Sequence, residues 1–234
     1  MSTLVGLLAL AGLGLYLGGA RHLRDALDRL RGRGPGASAA ARARHLRTPA
    51  VRIATALRIP TQREREAARW DAGAEGERRT AARLRALEGA DWTVLHDRAL
   101  PGSRANLDHV VISPGRHPVV LLLDSKRWST RHRLASDGHR LWHGEQDVTD
   151  RLHGLHHETR RLTDILGGPV VPVVVMDGPT INRPLDVDGI TIVPAWSLVS
   201  ELPAIVHQTP PHPHEARTAA RARRLTPYQQ RPTR

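Results

Sequence analysis

Apolar residues in this chain fall into short dense runs separated by turn formers. Residues 110–112, Val-Val-Ile, and 119–123, Val-Val-Leu-Leu-Leu, have the form of consecutive buried strands. Residues 92–95, 170–176 and 190–193 repeat the pattern, and Ser136-Asp137-Gly138 between residues 131–134 and 139–142 signals a hairpin. Pro172 places the 170–176 strand at a sheet edge or delays its start. Helical spacing takes over at Ala81, Leu84 and Leu87, in a helix starting near Ala74, and at Leu152, Leu155, Leu162 and Leu166. Thr61-Gln62-Arg63-Glu64 has the spacing of a capping box, which predicts an earlier, separate helix ending near Trp70. Residues 196–202 predict a short closing helix. Strands mixed with helices in this order predict an α/β domain of three layers with a mixed central sheet.

The ends of the chain read differently. Residues 1–20 contain no charged side chain, and Arg21, Arg24, Arg29, Arg31 and Arg33 follow at once. A secretory signal would put its positive charges first. The order here predicts a single-pass transmembrane anchor over 1–20, with the main domain on the cytoplasmic side of the cell membrane. A surface or core helix is the alternative. Residues 21–70 read as a basic spacer interrupted by Pro49 and Pro60, residues 71–206 as the folded domain, and residues 207–234 as a mostly disordered basic tail with a helical turn near residues 215–225.

Charge sharpens this division. The net charge of +12 comes from the flanks. Residues 1–60 hold ten basic against two acidic residues and residues 207–234 six against one, whereas residues 61–206 hold nineteen against twenty. Long-range attraction to nucleic acid or anionic lipid therefore has to come from the flanks. Cysteine is absent, which excludes disulfides and thiolate metal sites.

Inside the neutral domain, ionisable residues stand where apolar ones are expected. Asp108 opens one strand, and Asp124 and Lys126, two apart, close the next and share a face. Converging carboxylates need a proton or cation between them, and an oxygen-rich pocket suits Mg2+ or Mn2+. Lys126 is the only lysine beside thirty-four arginines. A compact ammonium can meet water or a phosphate oxygen where a broad guanidinium cannot. Glu77 lies two turns before Leu84 and points towards the sheet, although an acidic first helical turn would account for it equally. His109 faces away from Asp108 by alternation and reads as a packing residue. His153 and His157 lie on the polar side of their helix without a third ligand, and His156, on the border of the apolar stripe, is the histidine closest to the core. Arg127, Trp128 and Arg131 either meet a nucleic-acid backbone or cover the end of the sheet.

Three motifs, Gly73-Ala74-Glu75-Gly76-Glu77, Asn106-Leu107-Asp108-His109 and Asp124-Ser125-Lys126, in this order, resemble the core of PD-(D/E)xK nucleases and, within them, the nuclease-related domain, NERD. The resemblance spans about residues 70–200. It implies a restriction-endonuclease-like fold and a Mg2+- or Mn2+-dependent nuclease acting on DNA or RNA. It also implies catalytic roles for Lys126, Asp124, Asp108 and Glu77, with metal held by Asp108, Asp124, Glu77 and the Ser125 carbonyl. Glu75 is second choice to Glu77. The sequence departs from the family where Asp124 stands in place of the commoner glutamate, one methylene longer. A binding or signalling module at the membrane, keeping the fold without turnover, is the alternative function.

Overall fold

The structure, a computed structural model, describes residues 34–228. The expected anchor over 1–20 lies outside the described residues, and among those described no helix is long and apolar enough to cross a membrane. The chain begins with three helices, α1 (Ala37–Leu46), α2 (Pro49–Ala56) and α3 (Gln62–Glu88). Strands β1 (Thr93–Ala99), β2 (Asn106–Ile112) and β3 (Val120–Arg127) follow, then three short strands, β4 (Leu134–Ser136), β5 (Leu141–His143) and β6 (Gln146–Asp147). A 3-10 turn, Thr149–Leu152, leads into α4 (His153–Leu166). Then come β7 (Val170–Asp177), β8 (Leu185–Val187), β9 (Ile190–Pro194), α5 (Leu198–Gln208) and α6 (Glu215–Ala222).

Six strands form one mixed sheet in the order β1-β2-β3-β7-β9-β8, and β4, β5 and β6 form a separate small sheet. The first three strands are an antiparallel meander, while β3, β7 and β9 run parallel. A parallel neighbour cannot be reached by a tight turn, so the connection from β3 to β7 carries the small sheet and α4. Strand β7 is thus central, between β3 and β9, not at an edge. Pro172 is tolerated there because β9 begins to pair only at Val173, so its missing N–H falls where that side of the strand is still open. The β8–β9 hairpin, absent from the sequence expectation, turns on Asp188-Gly189, both at positive φ, the conformation of a two-residue type I′ turn.

Apolar burial divides between the two faces. On one, Val110, Leu122, Val174 and Met176 meet Leu152, Leu155, Leu162 and Leu166, together with Ala219, Ala222 and Leu225 from the C-terminal segment. On the other, Val111, Leu121, Leu123, Val173 and Val175 meet Leu84 and Leu87 of α3 and Leu198, Leu202 and Ile205 of α5. The β3 residues Leu121, Leu122 and Leu123 alternate between these clusters, as a strand covered on both faces must.

Two segments differ from their sequence pattern. The helices expected on either side of residue 71 are one helix of 27 residues, capped by the Thr61 hydroxyl accepting from the Glu64 N–H at 3.1 Å. Gly73 and Gly76 weaken a helix but do not terminate one, and the buried Ala67, Ala74, Ala81 and Leu84 hold it from outside. The helical turn expected near residues 215–225 is α6, but the segment around it is packed and not a free tail: α6 buries Thr218, Ala219 and Ala222, and the Ala99 N–H donates to the Thr226 carbonyl at 2.9 Å.

Candidate active site

The pairing between β2 and β3 ends at His109↔Leu123. Two residues further along β3 the ladder is replaced by a side chain: the Ser125 N–H donates to Asp108 Oδ2 at 3.0 Å. The two strands separate at this end, and the gap opens as a cavity of about 190 Å³ whose polar lining is Asn106, Asp108, Asp124, Lys126 and Glu158, with Gly154 also in its wall. Asp124 and Lys126 reach it from one face of β3, and Lys126 Nζ lies 2.6 Å from Asp124 Oδ2. Asp108 is surrounded by protein yet keeps part of its surface on the cavity, and burial, with the nearby Glu77 and Asp124 charges, raises its carboxyl well above the usual range.

Glu158 is not among the residues the sequence singles out. Burial pushes its carboxyl up to about 7, and Asp124 adds to the rise while Lys126 opposes it. A signal exists: Glu158 is three residues after Leu155 and four before Leu162, so it interrupts the apolar stripe of α4. His156 does not line the cavity. His153 and His157 are exposed, as their side of the helix requires.

Glu77 points inward but is not part of the cavity wall. It is 6% exposed, and its Oε2 accepts the Gly36 N–H, at the start of α1, at 3.1 Å. Burial, then Asp97, raises it to about 7, the Gly36 bond opposes the rise, and Asp124 adds a smaller repulsion. Asp97 is raised to about 6 by burial against the hydrogen bonds of Ser38 and Asn106. Asn106 also donates to the Ser38 hydroxyl at 2.8 Å. The first turn of α1 is therefore seated on Glu77, Asp97 and Asn106, directly behind the cavity. Glu75, the second choice, is bound on the surface by Arg78 and Arg79.

On the far face of β3 the Ser125 hydroxyl donates to Thr80 Oγ1 of α3 at 2.9 Å and lies 3.3 Å from His109 Nε2. The Ser125 side chain, whose family role needs only the backbone, thus ties β3 to α3. His109 is fully buried, its Nδ1 is 2.8 Å from His96 Nδ1, and burial holds its pKa well below the ordinary value. It packs and is hydrogen-bonded, as alternation predicts. Trp128 lies against the core with the Arg151 guanidinium 4.9 Å above its ring, so it covers the end of the sheet.

Among the described residues no three carboxylates or imidazoles converge as a finished metal cage does. The donor chemistry nevertheless fits a hard divalent cation. Asp108, Asp124 and Glu158 are oxygen donors around one cavity, and two of them, Asp108 and Glu158, are held above their usual pKa by burial first and by neighbouring carboxylate charge second. Asn106, in the same lining, has a buried Oδ1 without a hydrogen-bond partner. Within this lining the positive charge is the ammonium of Lys126, on Asp124.

Residues 72–176 match the family model described as nuclease-related domain, NERD. The matched span starts within α3, just ahead of Glu77, and ends in β7, so it encloses every cavity residue. No curated protein and no solved structure matches the chain.

Proposed function

We propose, from the premise that residues 72–176 are a nuclease-related domain, that the chain hydrolyses phosphodiester bonds of nucleic acid on a restriction-endonuclease-like core. The cavity that joins Asp108, Asp124, Lys126 and Glu158 is the observation that supports this reading. Bound Mg2+ or Mn2+ would polarise the phosphate and acidify a water. Asp108 and Asp124 would hold it, with the Ser125 carbonyl and Asn106 Oδ1 as further oxygen donors. The Ser125 N–H fixes Asp108 in place. With Asp124 committed to a cation, Lys126 Nζ is free to hydrogen-bond the attacking water or a non-bridging phosphate oxygen. Glu158, titrating near 7, is suited to take a proton from that water. Glu77 acts from behind as a positioning residue, through Gly36 and the α1 terminus. An anchor in residues 1–20 would keep this domain at the cytoplasmic face of the membrane.

The Lys126–Asp124 ion pair favours a second reading, a binding module without turnover, because it neutralises Asp124 without metal. The test incubates the full chain with labelled single- and double-stranded DNA and RNA and Mg2+ or Mn2+, beside Lys126→Ala and Asp108→Ala. Metal-dependent cleavage lost in both variants is the expected result. Nucleic-acid binding without cleavage under any of these conditions would establish the binding module instead.

A further inference from the structure

Helix α2 is the least covered α-helix among the described residues. It buries only Val51, while Ile53, on the same side as Leu57, is 62% exposed and Leu57 66%. The helix ends at Ala56, Arg58 beyond it has a left-handed φ of 57°, and the chain folds back so that the Ile59 N–H donates to the Ala54 carbonyl at 2.8 Å. Ile59 is 54% exposed at that end. Three large aliphatic side chains within seven positions are therefore presented to solvent, away from both core clusters. Scattered apolar residues on a surface need no explanation, but a group on a single helical tip marks a contact surface.

The charge around this tip specifies the partner. Residues 42–63 contain six arginines and no acidic residue. Of these Arg42, Arg44, Arg52, Arg58 and Arg63 are exposed. Of the acids that follow on α3, Glu64 and Asp71 are already committed: Arg47 lies 2.9 Å from Glu64 and 2.6 Å from Asp71. Nucleic acid would satisfy the arginines but leave Ile53, Leu57 and Ile59 in water. An anionic bilayer satisfies both, with the aliphatic side chains at the acyl boundary and the guanidinium groups among lipid phosphates.

We infer that the α2 tip, residues 49–60, docks the folded domain on an anionic lipid surface through Ile53, Leu57 and Ile59, with Arg52 and Arg58 on the headgroups. Because the apolar area is small, binding depends on the lipid charge. This surface is separate from any anchor in residues 1–20 and from the cavity, and it fixes how the domain sits on the membrane rather than only its tether length. The α3 helix that follows carries Glu77, so docking sets the orientation of the site towards the bilayer.

The absence of cysteine allows a single probe to be placed cleanly. Full-length chain carrying Leu57→Cys labelled with nitrobenzoxadiazole is mixed with nanodiscs of phosphatidylcholine alone or with phosphatidylserine. A Glu88→Cys label, at the exposed end of α3, serves as the reference. The expected result is a blue shift and gain of emission at position 57 on the anionic discs only. It is lost in Arg52→Glu/Arg58→Glu and absent at position 88. An equal signal on both lipids means that residues 1–20 or a second chain covers the tip, and overturns the inference. A shift produced by an oligonucleotide without lipid, or no shift on either disc, overturns it as well. Failure of the nuclease reading leaves each of these outcomes unchanged.

Discussion

Lys126 and Asp124 hold each other at 2.6 Å with about a fifth of each side chain exposed, so the resting site is a closed ion pair beside two carboxylates of raised pKa. Replacing Lys126 by arginine keeps the charge but not the compact ammonium. Lys126→Arg is expected to lower cleavage by about 10²- to 10³-fold, the usual loss when one group aimed at developing charge is misplaced. Single-turnover rates at saturating Mg2+ measure it. Glu158 supplies a pH signature. Its folded pKa of about 7 exceeds its ordinary value of 4.5, so between these the folded protein binds more protons than the unfolded chain. Its contribution is fully present below about pH 4.5 and is lost as pH rises through 7. Glu158→Gln removes that loss. The variant's Tm relative to the parent should rise steadily from about pH 4.5 to about 7.5 without metal, and Mg2+ should narrow the gap by stabilising the parent. A difference independent of pH would place Glu158 outside the cluster. Asp108, Asp124 and Lys126 are legible in the sequence because a charge at the end of an apolar strand is conspicuous. Glu158 is harder to see because one acid in an amphipathic helix resembles any other until its position on the apolar stripe is noted.

Among the elements, α3 shows how tertiary packing overrides a local stop. Gly73 lies mid-helix, and a Cβ placed there meets nothing within 4 Å. Gly73→Ala should therefore stabilise the protein by about 0.5–1 kcal/mol through helix propensity alone, read from urea midpoints at constant slope. Gly36 is the opposite case. Its φ is +72°, and a Cβ there would lie 2.4 Å from the Ala74 carbonyl oxygen. Gly36→Ala should cost at least ~1–2 kcal/mol from the left-handed backbone alone, and the close approach of α1 to α3 must open further. Faster proteolysis within residues 37–60, with amide protection of the central sheet retained, would locate the damage at α1. Sequence alone assigns this region to a spacer. Its few apolar residues conceal the contact, since α1 is held by alanines, Ala39 and Ala43, and by the Gly36 and Ser38 bonds behind the cavity.

For the molecule as a whole, the C-terminal segment closes one face of the sheet. Ala219, Ala222 and Leu225 belong to the same core cluster as residues of β2, β3 and α4, and the Arg221 guanidinium donates to the Leu166 carbonyl at 3.0 Å. Gly168 leaves room for Thr218, whose hydroxyl would lie 2.0 Å from a Cβ at that position. Deleting residues 210–234 is expected to expose this cluster and to remove cooperative thermal unfolding, as calorimetry would register. A truncated chain that unfolds as cooperatively as the parent, at the same Tm, would show that α6 adds nothing to the core.

The sequence by itself determined the strand alternation, the helical stripes, the order of three ionisable motifs and the uneven charge, because each is local and periodic. It also identified the nuclease-related domain, whose matched span is residues 72–176. Only the tertiary structure decided that β7 is central, that two helical patterns are one helix, and that Glu158 shares a cavity with Asp124 and Lys126. It decided, too, that Glu77 serves the start of α1 behind the cavity. These depend on contacts between residues far apart in the chain, and a side chain's partner across such a distance is set by how the layers pack, which no window of sequence contains.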